Sequence, residues 1–175
     1  MDVKIDVSEL TRFSAKFGAR GKAIAGEEVA RSMDLAGALI KRSAALNAPV
    51  GVSGILRRSI GWSGTGSGFG RSVAVGTPIE YAIPIELGVR KGRHPGLSRR
   101  GLEAVTLWFR RKAGMDDKRA RTAAGAFSNR LRRKGHEKRP FLTPAFDDNL
   151  SAIGAIFNKG SERAIKRMAQ LGRRR

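Results

Sequence analysis

From Leu10 to Leu46 the apolar residues recur at helical spacing over a stretch longer than a small domain is wide. Leu10, Phe13 and Phe17 form one stripe; Val29, Met33, Ala36 and Ile40 form the next, with Leu35 and Leu39 beside it. A continuous helix of about 36 residues would reach roughly 54 Å at ~1.5 Å per residue. Gly18, Gly21 and Gly26 are therefore the expected sites of a kink or break, since each costs up to ~1 kcal/mol relative to alanine within a helix. Asn47-Ala48-Pro49 ends the pattern, because proline disfavours a helical residue before it. Ser8 has the form of an N-cap, and Glu9 adds negative charge at the positive end of the helix. Ahead of it Val3, Ile5 and Val7 alternate with charged residues, which predicts a short strand.

The next region reads as sheet. In Leu56–Ser63, Leu56, Ile60 and Trp62 share a face at period two, with Arg58 between them. The glycine-rich run 64–70 is a hairpin loop, and Arg71–Gly76 returns with Val73 and Val75 inward. In Tyr81–Gly88, Pro84 argues against a central strand and leaves a short helix or an edge strand open. Residues 89–101 form a basic loop rich in helix breakers. Helical spacing resumes at Leu102, Val105, Trp108 and Phe109 and closes at Ala113-Gly114. A second helix opens at Asp116-Asp117 and runs to about Lys134, with Gly135 as its stop. After Pro144 a last helix carries Phe146, Leu150, Ile153, Ile156 and Phe157, then Ile165, Met168 and Leu171, with Gly160 a point of division. The expected fold is α+β: a long N-terminal helix packed on a small antiparallel sheet, with further helices in the C-terminal half. Residues 1–175 are read as one domain with a basic helical extension at about 90–139.

Composition narrows the function. The chain has a formal net charge of +20, unevenly placed. Residues 1–89 hold 11 Lys/Arg against 8 Asp/Glu, whereas residues 90–175 hold 24 against 7. Such asymmetry points to a polyanion near the C-terminal half, or to acidic neighbours in an assembly. The absence of cysteine excludes disulfide frameworks and thiolate zinc sites. There is no apolar run of the ~18 residues that a membrane span needs, and the first residues lack the pattern of a secretory signal. The chain is read as made in a cytoplasm, with no membrane contact. Aromatics make up only 6% and glycines number 22, so a modest core completed against neighbours fits as well as a compact monomer.

Catalytic chemistry finds little support, and no catalytic, cofactor or metal residue is assigned. His94 and His136, read as exposed in basic loops, lack an acidic cluster, and His136-Glu137 is not followed by the second histidine of a zinc-protease helix. Gly70 leads into Arg71-Ser72 and a strand, whereas a phosphate-binding loop needs Gly-Lys-Ser/Thr and a helix. Glu80, Glu86 and Glu103 are too scattered for a two-metal site. Glu86 is the one carboxylate in apolar surroundings, suited to a salt bridge with Arg57 or Arg58, within the chain or across a subunit boundary. Residues 110–139 hold twelve basic residues against three acidic ones. Trp108, Phe109 and Phe127 sit at positions expected of core, so stacking platforms for single strands are unsupported. Nothing argues base readout, and attraction to the nucleic-acid backbone is the more economical account.

Three ordered segments carry a family resemblance: Pro49-Val50-Gly51-Val52-Ser53-Gly54-Ile55-Leu56-Arg57-Arg58-Ser59-Ile60, Tyr81-Ala82-Ile83-Pro84-Ile85-Glu86-Leu87-Gly88, and Pro140-Phe141-Leu142-Thr143-Pro144-Ala145. They resemble the tail-completion proteins of long-tailed bacteriophages, with one residue added and the usual Asp missing in the first, and Leu87 for Phe in the second. The resemblance implies a ring subunit, commonly hexameric, at the head–tail junction, between a head-side connector and the tail terminator. It implies a virion protein, assembled in the host bacterial cytoplasm and not an enzyme. Arg57, Arg58, Tyr81, Glu86 and Phe141 are the residues singled out for packing or subunit contact. Arg110, Arg111, Lys112, Arg130, Arg132, Arg133 and Lys134 are singled out as facing DNA or a partner. Duplex DNA carries one charge per ~1.7 Å, so a ring roughly 40 Å tall faces only about 24 phosphates. Six copies would carry roughly +120, so most of that charge must face protein or solvent. The alternative is a free protein that binds nucleic acid without sequence preference; a nuclease is the third and least supported reading.

Overall fold

The computed structural model describes residues 5–51 and 54–172. In chain order the elements are α1 (Ser8–Ala15), α2 (Gly18–Asn47), α3 (Ile55–Ser59), β1 (Gly61–Thr65), β2 (Ser72–Gly76), α4 (Ala82–Leu87), α5 (Arg99–Ala113), α6 (Asp117–Lys134), α7 (Leu142–Asp147) and α8 (Leu150–Gly172). The expected α+β class is the one observed. Backbone contacts divide the chain into two compact units, residues 1–42, 61–76 and 146–175 in one, and 43–60 and 77–145 in the other.

In the first unit, Leu10, Ala25, Val29, Ala164 and Met168 form a buried cluster, with Phe13, Phe17, Phe69 and Phe157 packed against it. The long helical pattern breaks once, between Ala15 and Gly18, where Gly18 takes φ +68° and lets the chain turn. Gly21 and Gly26 lie within α2 instead of breaking it. Gly26 has a different reason to lack a side chain: a Cβ there would stand 3.0 Å from the Cα of Gly68. Ser8 is the first helical residue, not the cap. Val7 holds the cap position, and Asp6 just before it accepts the Ser8 N–H on its carboxylate at 2.8 Å. Residues 5–7 form no strand, and Val3 lies outside the described residues.

The sheet is a two-stranded antiparallel hairpin in which Trp62 faces Val75 and Gly64 faces Val73. It begins at Gly61, not at Leu56, because Ile55–Ser59 coil into α3. Leu56 and Ile60 are both buried, and their four-residue separation suits one helical face as well as a period-two strand. The long helix packs on the sheet as expected: a Cβ at Gly37 would overlap Val73 and reach the Trp62 ring at 3.6 Å. An Asp34–Arg71 ion pair of 2.6 Å ties α2 to the hairpin. The last helix begins at Leu150, and Phe146 belongs to the separate short helix α7. Gly160 does not divide α8; a Cβ there would collide with the Ser32 hydroxyl of α2, so it permits close helix packing.

In the second unit, the open choice at Tyr81–Gly88 resolves to helix α4. The expected α5 and α6 are present and capped from the sequence. Ser98 Oγ accepts from the Gly101 N–H, Asp116 accepts from the Arg119 N–H at 2.9 Å, and Gly114 and Gly135 end the helices with positive φ. Among the described residues no helix is long and apolar enough to cross a membrane.

Candidate functional site

The second and third motifs, some 55 residues apart, are joined by one side chain. The Glu86 carboxylate accepts the backbone N–H groups of Phe141 at 2.7 Å, Leu142 at 3.0 Å and Thr143 at 2.9 Å, and the Thr143 hydroxyl at 2.7 Å. Those amides open α7, where no intrahelical acceptor exists, so a carboxylate there satisfies both the hydrogen bonds and the helix dipole. Burial opposes ionisation of Glu86, but these donors outweigh it and hold the carboxyl below its ordinary range. The expected ion pair with Arg57 or Arg58 is not formed among the described residues. Backbone amides reach Glu86 first, and sequence spacing gives no sign of a contact across 55 positions.

Backbone pairing continues the join. Arg139 N–H donates to the Ile85 carbonyl at 2.7 Å, and Val89 and His136 exchange N–H···O bonds of 2.8 and 2.9 Å. The segment between them, carrying α5 and α6, therefore leaves and re-enters at one point. His94 and His136 flank this base and are half-buried, not exposed as expected. Burial, and then the neighbouring His136, make His94 harder to protonate, and its Nδ1 accepts the Gly96 N–H at 2.9 Å. Among the described residues no group of three or more His, Asp or Glu could hold a metal ion.

The remaining packing candidates separate. Phe141 is fully buried behind the join. Arg57 turns to the C-terminus of α2, donating to the Leu46 carbonyl at 3.1 Å, where a cation also suits the helix dipole. Arg58 is exposed, and Tyr81 is 49% exposed. Sequence reasoning missed Ile83 and Leu87, which are 65% and 72% exposed. They stand one helical turn apart on α4, whose buried residue is Ala82. Their spacing was visible in the motif, but only the choice of helix over strand puts them on one face. Val50 and Ile55 of the first motif are also exposed.

The seven basic candidates do not form one patch. Arg110, Arg111 and Lys112 occupy the last turn of α5; Arg132, Arg133 and Lys134 occupy the last turn of α6, with Arg130 two positions before them. The helices form an antiparallel hairpin, with Arg110 meeting Asp117 at the tip at 3.4 Å and Arg132 Nε donating to the Pro95 carbonyl at the other end. The two clusters are thus roughly 22 Å apart by the length of α5. Each sits at a negative helix end, a local reason for cations that needs no ligand. Trp108 and Phe127, expected in the core, are 41% and 37% exposed. In the first unit an open groove of about 690 Å³ runs along α2, lined by Ala23, Ala30, Leu35 and Trp62 among others. Its carboxylates Glu27 and Asp34 are already paired with Arg167 and Arg71.

Residues 11–88 match the model of the HK97-gp10-like family, described as "Bacteriophage HK97-gp10, putative tail-component". The match takes in α2, the hairpin and the Tyr81–Gly88 motif, and it stops just before the base of the α5–α6 segment. The match, over somewhat less than half of the chain, fits the resemblance to tail-completion proteins of long-tailed phages and supports a structural, tail-related role. No curated protein and no solved structure matches the chain significantly.

Proposed function

We propose that the protein is a subunit of a homo-oligomeric ring, hexameric by resemblance, at the phage head–tail junction. There it joins the head-side connector to the tail terminator and flanks the DNA conduit. Residues 90–139 are its basic helical extension, which meets duplex DNA or acidic neighbours without reading bases. The observation that carries this reading is the exposed Ile83–Leu87 ridge within a family motif whose Glu86 is committed to α7. A short helix anchored on one side and apolar on the other is a surface that a neighbouring subunit would cover.

Purified particles imaged by electron microscopy should show the protein as a ring at the neck, and its absence from particles would end the proposal. In solution, Leu87→Asp should shift the sedimentation profile towards monomer without lowering the melting temperature. The rival reading, a free nucleic-acid-binding protein, draws on the charge of residues 90–175. It requires the isolated chain to bind random-sequence duplex at low salt, with affinity falling steeply on log scales as salt rises.

A further inference from the structure

Helix α5 carries two stripes. Leu102, Val105, Thr106 and Phe109 are half-buried on one side. Arg100, Ala104, Leu107 and Arg111 follow four-three-four spacing on the other side, with Trp108 beside them, and all five are exposed. Past their end lies an open cavity of about 390 Å³ lined by Leu107, Arg110, Arg111, Gly114 and Met115. Two guanidinium groups and two apolar side chains thus share one concave surface. Arg111 has no ion pair among the described residues, and the Arg110–Asp117 pair is half-exposed at 3.4 Å and open to exchange.

We propose that this outward face of α5 docks an acidic protein segment that also carries large apolar side chains. The source of that segment, a neighbouring virion protein, rests on the function proposed above; the chemistry does not. Charge complementarity selects the occupant. A second copy of the same face would bring Arg100, Arg110, Arg111 and Lys112 against their own kind, which opposes self-pairing. The groove along α2 offers no free carboxylate, since Glu27 and Asp34 already hold arginines. Duplex DNA would satisfy the guanidinium groups but leave Leu107 and Met115 without an apolar partner. Arginine with tryptophan is also the composition of protein-binding centres, and the carboxylates nearby, Glu103, Asp116 and Asp117, are each already paired with an arginine.

The test uses the full chain and three labelled probes read by fluorescence anisotropy. One is a helix-forming peptide of about 16 residues, or four turns, with Glu and Leu at helical spacing. The second replaces each Leu by Ser, and the third is a random duplex of about 20 base pairs. The Leu peptide should bind about tenfold tighter than the Ser peptide, and Leu107→Ser or Trp108→Ala should each remove about tenfold of that affinity. Neither substitution should alter duplex binding or, at such exposed positions, the melting curve. Equal binding of the two peptides, binding of neither, or loss of duplex binding in the Leu107 and Trp108 variants would overturn the proposal. Ring formation is measured separately by sedimentation of the same variants, so the two readings fail independently.

Discussion

At Glu86, one carboxylate does the work of a helix cap supplied from a distant part of the chain. Replacing a capping side chain costs about 0.5–2 kcal/mol, and here glutamine would keep one oxygen for two of the four donors while turning an NH2 group towards the other two and removing the charge. Glu86→Gln should therefore lower stability by about 1–2 kcal/mol at neutral pH, measured by urea unfolding. The sign of the pH dependence follows from the depressed folded-state pKa. The stabilisation is complete above the ordinary carboxylate value of 4.5 and fades as pH falls through the lower folded value. Wild type and Gln variant should converge in acid; a gap that stays constant with pH would refute the capping role. The sequence marked Glu86 as unusual through its apolar neighbours. It could not name the partner, because amides offer no sequence signal and any residue supplies one.

Among the elements, α2 and α8 are held by a small contact and a buried charge. Glu28 is 4% exposed, with Arg163 at 2.8 Å and Arg167 at 3.0 Å. Burial works against its charge, and the two arginines prevail, keeping the carboxyl below its ordinary range. Glu28→Ala should cost about 2–4 kcal/mol, since it strands Arg163. Glu27→Ala, at an exposed pair with Arg167, should cost less than about 1 kcal/mol. Equal losses in thermal melts of the two variants would show that burial is not what matters. The α5–α6 hairpin makes a different prediction. Because Val89 and His136 are paired at its base, replacing residues 90–135 by two glycines should leave a chain that still unfolds cooperatively. Loss of helical signal beyond that of α5 and α6 in circular dichroism would contradict this. Both helices were legible from their caps, Asp116, Gly114 and Gly135, since capping is local chemistry. Their outward face was not, because Leu107 and Trp108 look like core until neighbours are known.

For the molecule as a whole, the formal charge of +20 acts at long range and is screened by salt. Any affinity for random duplex should fall linearly in log–log plots against salt and show no sequence preference. A fixed preferred sequence in a selection experiment would count against a role beside the conduit. Charge also bears on assembly: copies repel unless apolar ridges such as Ile83–Leu87 and acidic partners offset the cost. If the proposed ring forms, raising salt should therefore favour it over the monomer in sedimentation of the isolated chain.

Local rules were enough to determine the long helix, its proline stop, the caps of α5 and α6, and the hairpin with Val73 and Val75 inward. Each depends on residues within a few positions of one another. Tertiary structure alone decided that Gly26 and Gly160 are contact points and not breaks, that Leu56 is buried from a helix and Ile60 from the extended residue that ends it, and that Glu86 joins two motifs. The physical reason is the same each time: spacing four apart and a missing side chain admit several backbones, and only packing against a remote segment selects one.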